Sequence, residues 1–319
     1  MIQLIIIYTG FLLAVYSVIG NDVIQTLGTF LTSNKKTHWT ILWGFASVIL
    51  TATLVYGWYF YDGDVSYHRL DNIPLPDKLM WWYLLAPLTL LIITRFGIPV
   101  STTFMILSIF SSQQIIEKMI IKSVYGYGIS VFTAFLIYLI IAKSFESKNS
   151  IVALEESKNK KFWIMAQWGS TAFLWSQWLI QDFANIFVFL PRKLSLLELV
   201  FALFLILSIM AYIFKSKGGK IQEIVNKKVN AGNIRSATLI DLCYGIILFV
   251  YGNYNSIPMS TTWTFIGVLA GREMAINFLL NKKNVKNSSK LIFKDLWKVS
   301  FGLAISVFIV YVIQYLKML

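Results

Sequence analysis

Two carboxylates stand inside otherwise apolar sequence, Asp22 in Gly20-Asn21-Asp22-Val23 and Asp182 in Gln181-Asp182. Inserting an ionisable group into a membrane-length apolar run costs at least about 2.5 kcal/mol, so such groups point to cation, proton or ion-pathway chemistry. Gly20 permits local unwinding beside Asp22, which would turn backbone carbonyls and the carboxylate toward a cation. Two further motifs place three hydroxyls just after a proline: Ile98-Pro99-Val100-Ser101-Thr102-Thr103 and Ile257-Pro258-Met259-Ser260-Thr261-Thr262. Proline cannot continue a helix, whereas Ser-Thr-Thr is a good helix start. Each motif predicts a re-entrant turn. Its N–H groups, with the hydroxyls of Ser101, Thr102, Thr103, Ser260, Thr261 and Thr262, can surround a tetrahedral oxyanion without a full positive charge.

A carboxylate repels an anion unless a cation lies between them or the anion carries a proton. Both arrangements suit coupled transport, with Asp22 and Asp182 serving the cation or a protonated anion and the hydroxyl-rich turns gripping the anion. Arg95, two residues before Gly97, is expected near the first turn as an anion contact, although Tyr254 holds the equivalent place in the second half. Asp241 and Arg272-Glu273 are also expected inside the membrane, as members of structural ion pairs.

The elements that carry these residues follow from hydropathy. Of 319 residues, 57% are hydrophobic and 13% charged, with mean hydropathy +0.67; a soluble domain carries about 25% charged residues. Apolar segments fall near 2–19, 38–60, 79–96, 98–113, 122–142, 162–180, 195–214, 237–254, 257–281 and 295–317. A helix crosses the hydrocarbon core with about 20 such residues, so the expected class is an all-α, multi-pass integral membrane protein in a lipid bilayer. Met1-Ile2-Gln3 lacks the basic flank of a cleaved signal, so the first run is taken as a membrane helix. The polar stretch 143–161 is the seam between a first half, 1–142, and a second, 162–319.

The halves repeat one another. Asn21-Asp22 recurs as Gln181-Asp182 at an offset of 160, and the first Pro-x-Ser-Thr-Thr recurs at an offset of 159. Ser108 and Ser112 then align with Gly267 and Gly271, a spacing that suits close helix packing. Equivalent loops carry opposite charge: 61–79 holds Asp62, Asp64, Asp71 and Asp77 against Arg69 and Lys78, whereas 215–236 holds six basic residues against Glu223. Basic loops stay cytoplasmic, so the repeats are expected to be inverted, with discontinuous helices and re-entrant hairpins. With both termini outside, 18 basic residues fall in cytoplasmic loops and 7 outside.

Other chemistries are poorly represented. The net charge of +13 is spread over short loops, which fits membrane orientation and not nucleic-acid binding. Cys243 is the single cysteine, excluding an intrachain disulfide, and His38 and His68 have no partner at metal-ligand spacing. Trp81-Trp82-Tyr83 suits an interfacial aromatic belt. No nucleotide-binding Gly-rich loop is present, so active transport would draw on an ion gradient. Neither an enzyme nor an organic cofactor is expected, and a homo-oligomer is compatible with the sequence.

At these residues the chain resembles the inorganic phosphate transporter (PiT) family, whose halves carry Gly-Ala-Asn-Asp-Val-Ala-Asn-Ala and Pro-Val/Ile-Ser-Thr-Thr-His signatures. Gly20-Asn21-Asp22-Val23 and Pro99-Val100-Ser101-Thr102-Thr103 match in the first half; Asp182, Ala184, Asn185 and Pro258-Met259-Ser260-Thr261-Thr262 match in the second. The resemblance implies an inverted-repeat fold, sodium- or proton-coupled phosphate uptake across a plasma membrane, here expected to be a bacterial inner membrane, and a central phosphate site. It implies sodium ligands among Asn21, Asp22, Gln25, Gln181, Asp182 and Asn185. The chain departs from the signatures at Gln25 and Gln181, where asparagine is usual, and at Phe104 and Trp263, where histidine is usual. Sulfate or another oxyanion is an alternative cargo, and a non-transporting membrane sensor or scaffold an alternative role.

Overall fold

The computed structural model describes residues 1–96, 100–145, 160–216, 234–254, 256–280 and 285–318. Its α-helices are α1 (Ile2–Val18), α2 (Ile24–Ser33), α3 (Trp39–Phe60), α4 (Leu85–Arg95), α5 (Gln113–Phe145), α6 (Lys160–Asp182), α7 (Ala184–Phe187), α8 (Leu196–Lys215), α9 (Ile234–Tyr254), α10 (Thr261–Leu280) and α11 (Val285–Met318). No strand occurs among the described residues. Five stretches are long and apolar enough to cross a bilayer: Ile2–Val23, Trp39–Phe60, Gln113–Ile141, Leu196–Lys215 and Ile234–Gly252. Leu4, Val48, Leu197, Phe204 and Phe308 are exposed, an apolar exterior that lipid solvates and water would not. The chain is an all-helical membrane protein.

Local signals explain several boundaries. Ser195 and Glu198 form a reciprocal capping box that starts α8, at 3.3 Å and 2.8 Å. His38 caps α3 by accepting from the Thr40 amide, which is its role here. Two expectations change. The chain from Ile2 to Ser33 does not unwind at Asp22; Ile19–Val23 forms a π-helical turn joining α1 to α2, widening the helix where Gly20 and Asn21 sit. The outer loop expected at 113–122 is the start of α5, which begins before its apolar part because Gln113 and Glu117 pair one turn apart at 3.1 Å.

Packing recurs in exchanged pairs. α1 packs on α4 and on α8, while α6 packs on α9 and on α3. α5 lies along α10, and α11 lies against the π turn Thr103–Leu107 that follows the first Ser-Thr-Thr. The α5 and α10 backbones are close: a Cβ on Gly271 would lie 2.2 Å from the Val131 carbonyl oxygen, and one on Gly267 would lie 2.8 Å from the Ser130 Cβ. This is the small-residue approach that the spacing predicts.

One end of the bundle gathers residues 61–80 and 188–195. Trp58 Nε1 donates to the Leu194 carbonyl at 2.7 Å, and Arg192 donates to the Ile73 carbonyl at 2.7 Å. Gly63, with φ +92°, lets the turn approach Leu194, whose amide donates to the Gly63 carbonyl at 2.9 Å. The opposite end gathers Asn34, Trp168 and Phe214.

Candidate functional site

The two acidic breaks and the two hydroxyl-rich turns meet in one buried cluster. Thr102 Oγ1 donates to Asp22 Oδ2 at 2.5 Å, and Thr261 Oγ1 donates to Asp182 Oδ2. These bonds are equivalent under the repeat. A second equivalent pair crosses between the turns, Thr103 Oγ1 to the Met259 carbonyl at 3.3 Å and Thr262 Oγ1 to the Val100 carbonyl at 3.4 Å. Ser101 and Ser260 cap their own turns, each Oγ accepting from the amide three residues on at 3.3 Å. Pro99 lies outside the described residues.

Asn185 links the carboxylates, donating to Asp182 Oδ1 at 3.1 Å and to Thr102 Oγ1 at 3.0 Å, the hydroxyl that itself holds Asp22. Asn21 donates to Asp22 Oδ1 at 2.7 Å and to the Val100 carbonyl at 2.9 Å. All these groups are buried. The carbonyl oxygens of Asn185 and Gln181 are buried without hydrogen-bond partners. Two carboxylates, several hydroxyls and the orphan Asn185 oxygen form an oxygen-rich donor set that fits a hard cation. Gln25 falls in the first turn of α2, and its side chain lies outside the described residues.

The expected amide symmetry breaks at Gln181. One methylene longer than Asn21, it reaches away from the opposite turn, its Nε2 donating to the Leu248 carbonyl of α9 at 3.4 Å. Gly252 makes room for it: a Cβ there would lie 1.7 Å from Gln181 Nε2. Arg95, expected as an anion contact, is instead exposed at the end of α4, outside this cluster. Arg69 approaches in its place. The turn Asp62–Leu70, with positive φ at Asp62, Gly63, Tyr67 and His68, folds inward, and Arg69 Nη2 donates to the Gly252 carbonyl at 2.8 Å. Burial lowers its pKa to about 10, opposed by the charge of Asp182, so it stays cationic at neutral pH.

Lys122 was also hidden, because the sequence places it in a loop. It is buried on α5 and donates to the Ile257 carbonyl at 2.7 Å, while its neighbour Ser123 accepts from the Ser260 amide at 2.9 Å. Lys122 therefore holds the second turn, and Arg69 the end of α9 that precedes it. His68, read as isolated, lies 3.1 Å from Asp71, with Asp64 close by, in an exposed part of the 61–80 loop. Of the other intramembrane charges, Arg272 donates to Ser236 Oγ at 3.2 Å and lies over the Tyr138 ring, while Glu273 accepts from Asn277 at 2.8 Å.

No family model and no curated protein matches the sequence. A solved structure described as "The sodium-dependent phosphate transporter" does match: TM-score 0.62 at 17% identity, covering 99% of this chain and 100% of that one. The two share a fold. At this identity the likeness establishes the helical architecture alone.

Proposed function

We propose that this protein is a secondary transporter that carries inorganic phosphate across the plasma membrane together with sodium. The observation that carries the reading is the buried cluster in which two carboxylates and two Ser-Thr-Thr turns interlock across the halves. Two negative charges in a buried site need cationic compensation, and sodium held by Asp22, Asp182 and Asn185 would supply it. The turns would then offer hydroxyls and N–H groups to the anion, so cation and anion each make the site favourable for the other. The structurally similar protein is a sodium-dependent phosphate transporter, which agrees with this assignment.

In this reading residues 1–142 and 162–319 are inverted repeats joined by the linker 143–161. The exchanged packing pairs and the equivalent hydrogen bonds support it. The end bearing Lys35, Lys36 and the linker is cytoplasmic. Phosphate is preferred to sulfate because its protonated oxygen can donate to a carboxylate, whereas sulfate has no proton to give. Purified protein in liposomes tests this. Labelled phosphate should accumulate under an inward sodium gradient, and excess sulfate should compete weakly. Uptake driven equally by a proton gradient without sodium, or abolished by equimolar sulfate, would overturn the assignment.

A further inference from the structure

The start of α5 and the end of α9 enclose a groove of about 560 Å³ outside the central cluster. Lys118, Ile121, Lys122 and Tyr125 line it from α5, a spacing of three and four residues that sets them on one helix face. Val250 lines it from α9, and Ile257 from the chain that leads into the second Ser-Thr-Thr turn. Both helices are long and apolar enough to cross the bilayer, and Ile121, Tyr125 and Val250 are exposed on them, so the groove opens on lipid. The α9 span ends at Gly252, just beyond Val250, which puts the groove where hydrocarbon gives way to headgroups.

Charge and wall chemistry select the occupant. Lys118 and Lys122 stand one turn apart, like charges at that spacing repel, and none of the described lining residues is acidic. An anion seated between them turns the repulsion into two attractions. The apolar wall adds contact for hydrocarbon and nothing for a hydrated inorganic ion. An anionic phospholipid satisfies both features, its phosphodiester at the lysines and its acyl chain along the wall. Lys122 is buried and donates to the Ile257 carbonyl at 2.7 Å, while Ser123 accepts from the Ser260 amide at 2.9 Å. A ligand on Lys122 therefore touches the residue that holds the turn of Ser260, Thr261 and Thr262.

We infer that this groove binds an anionic phospholipid, with the phosphodiester on Lys118 and Lys122 and an acyl chain along Ile121, Tyr125 and Val250. Bound there, the lipid steadies Lys122 against Ile257 and so adjusts the turn whose Thr261 donates to Asp182. Lipid binding stands apart from the transport reading, whereas its effect on phosphate rests on that reading.

Native mass spectrometry of the purified full-length protein counts the lipid directly. With phosphatidylglycerol and phosphatidylcholine supplied together in detergent, the wild type should retain one phosphatidylglycerol in preference to phosphatidylcholine. Lys118→Gln should weaken that binding about fivefold, the worth of one lysine at an anionic surface. Val250→Trp fills the groove from an exposed position and should weaken binding with no change in charge. Equal retention of the two lipids, unchanged binding in both variants, displacement of labelled phosphatidylglycerol by inorganic phosphate, or cross-linking of two chains through Lys118→Cys would overturn the site. In vesicles of phosphatidylcholine mixed with phosphatidylglycerol, the wild type and Lys118→Gln should differ in half-saturation for phosphate uptake; in phosphatidylcholine alone they should agree. Equal values in both vesicles overturn the coupling to the turn, and a difference that persists in phosphatidylcholine alone assigns Lys118 to the free anion and overturns the lipid site. Failure of phosphate uptake alongside intact lipid binding would instead defeat the transport reading and leave this site standing.

Discussion

Replacing Gly252 by alanine separates stability from function. The added Cβ would fall 1.7 Å from Gln181 Nε2 and 3.2 Å from Arg69 Nη2. Both neighbours are ends of long side chains, so the backbone need not move. Gln181 must give up its 3.4 Å bond to Leu248, and Arg69 must shift, weakening or losing its 2.8 Å bond to the Gly252 carbonyl. A neutral bond contributes about 0.5–1.5 kcal/mol and a charged one about 1.5–3. The helix gains about 0.8–1 kcal/mol from glycine to alanine, which offsets part of this loss. Net destabilisation of up to about 4 kcal/mol therefore falls on groups that flank Asp182. Half-saturation of sodium-driven phosphate uptake in liposomes should rise by about tenfold or more, one decade for each 1.4 kcal/mol, while the protein stays folded. Shortening the clashing side chain in the double variant Gly252→Ala with Gln181→Asn should recover most of the loss. Unchanged half-saturation in Gly252→Ala, or no recovery in the double variant, would refute the role given to Gln181 and Arg69.

Thr102→Val and Thr261→Val remove equivalent bonds and should raise half-saturation for sodium by similar factors, about tenfold or more; an effect confined to one of them contradicts the equivalence of the halves. Arg69→Leu should weaken phosphate uptake more than Arg69→Lys does. Because Arg69 is charged until about pH 10, the difference between the wild type and Arg69→Leu should be constant from about pH 6 to 8 and shrink only near that pKa, where the charge is lost. Gly271→Ala should lower thermal stability in detergent by about 1–3 kcal/mol or more, because its Cβ meets backbone. Gly44→Ala, with no atom within 4 Å of the new Cβ, should be neutral or stabilising.

The sequence made most of the helices readable because membrane helices are uniformly apolar and their polar residues stand out. The same contrast exposed Asp22, Asp182 and the two Ser-Thr-Thr turns, and their repetition paired them before any contact was known. Local pattern does not report inward-folding loops. Arg69 lies in an acidic loop that reads as solvated, and only the run of positive φ at Asp62, Gly63, Tyr67 and His68 turns it toward Gly252. Arg95 was misplaced because closeness in sequence to the first turn stood in for closeness in space. Asp241 was visible as an intramembrane acid, but its partners are hydroxyls on two other helices, 212 and 70 residues away, a distance no local motif spans. Gly20 beside Asp22 suggested unwinding, yet the helix accommodates the site with one wide turn, a smaller departure than a break.

Phosphate binding to purified protein, measured with and without sodium in the wild type, Asp22→Asn and Asp182→Asn, tests the central claim most directly. Each carboxylate in contact range of a cation is worth several kcal/mol, so each variant should lose at least about 100-fold in sodium-dependent phosphate affinity. Wild-type affinity in both variants, or phosphate binding indifferent to sodium in the wild type, would contradict the account.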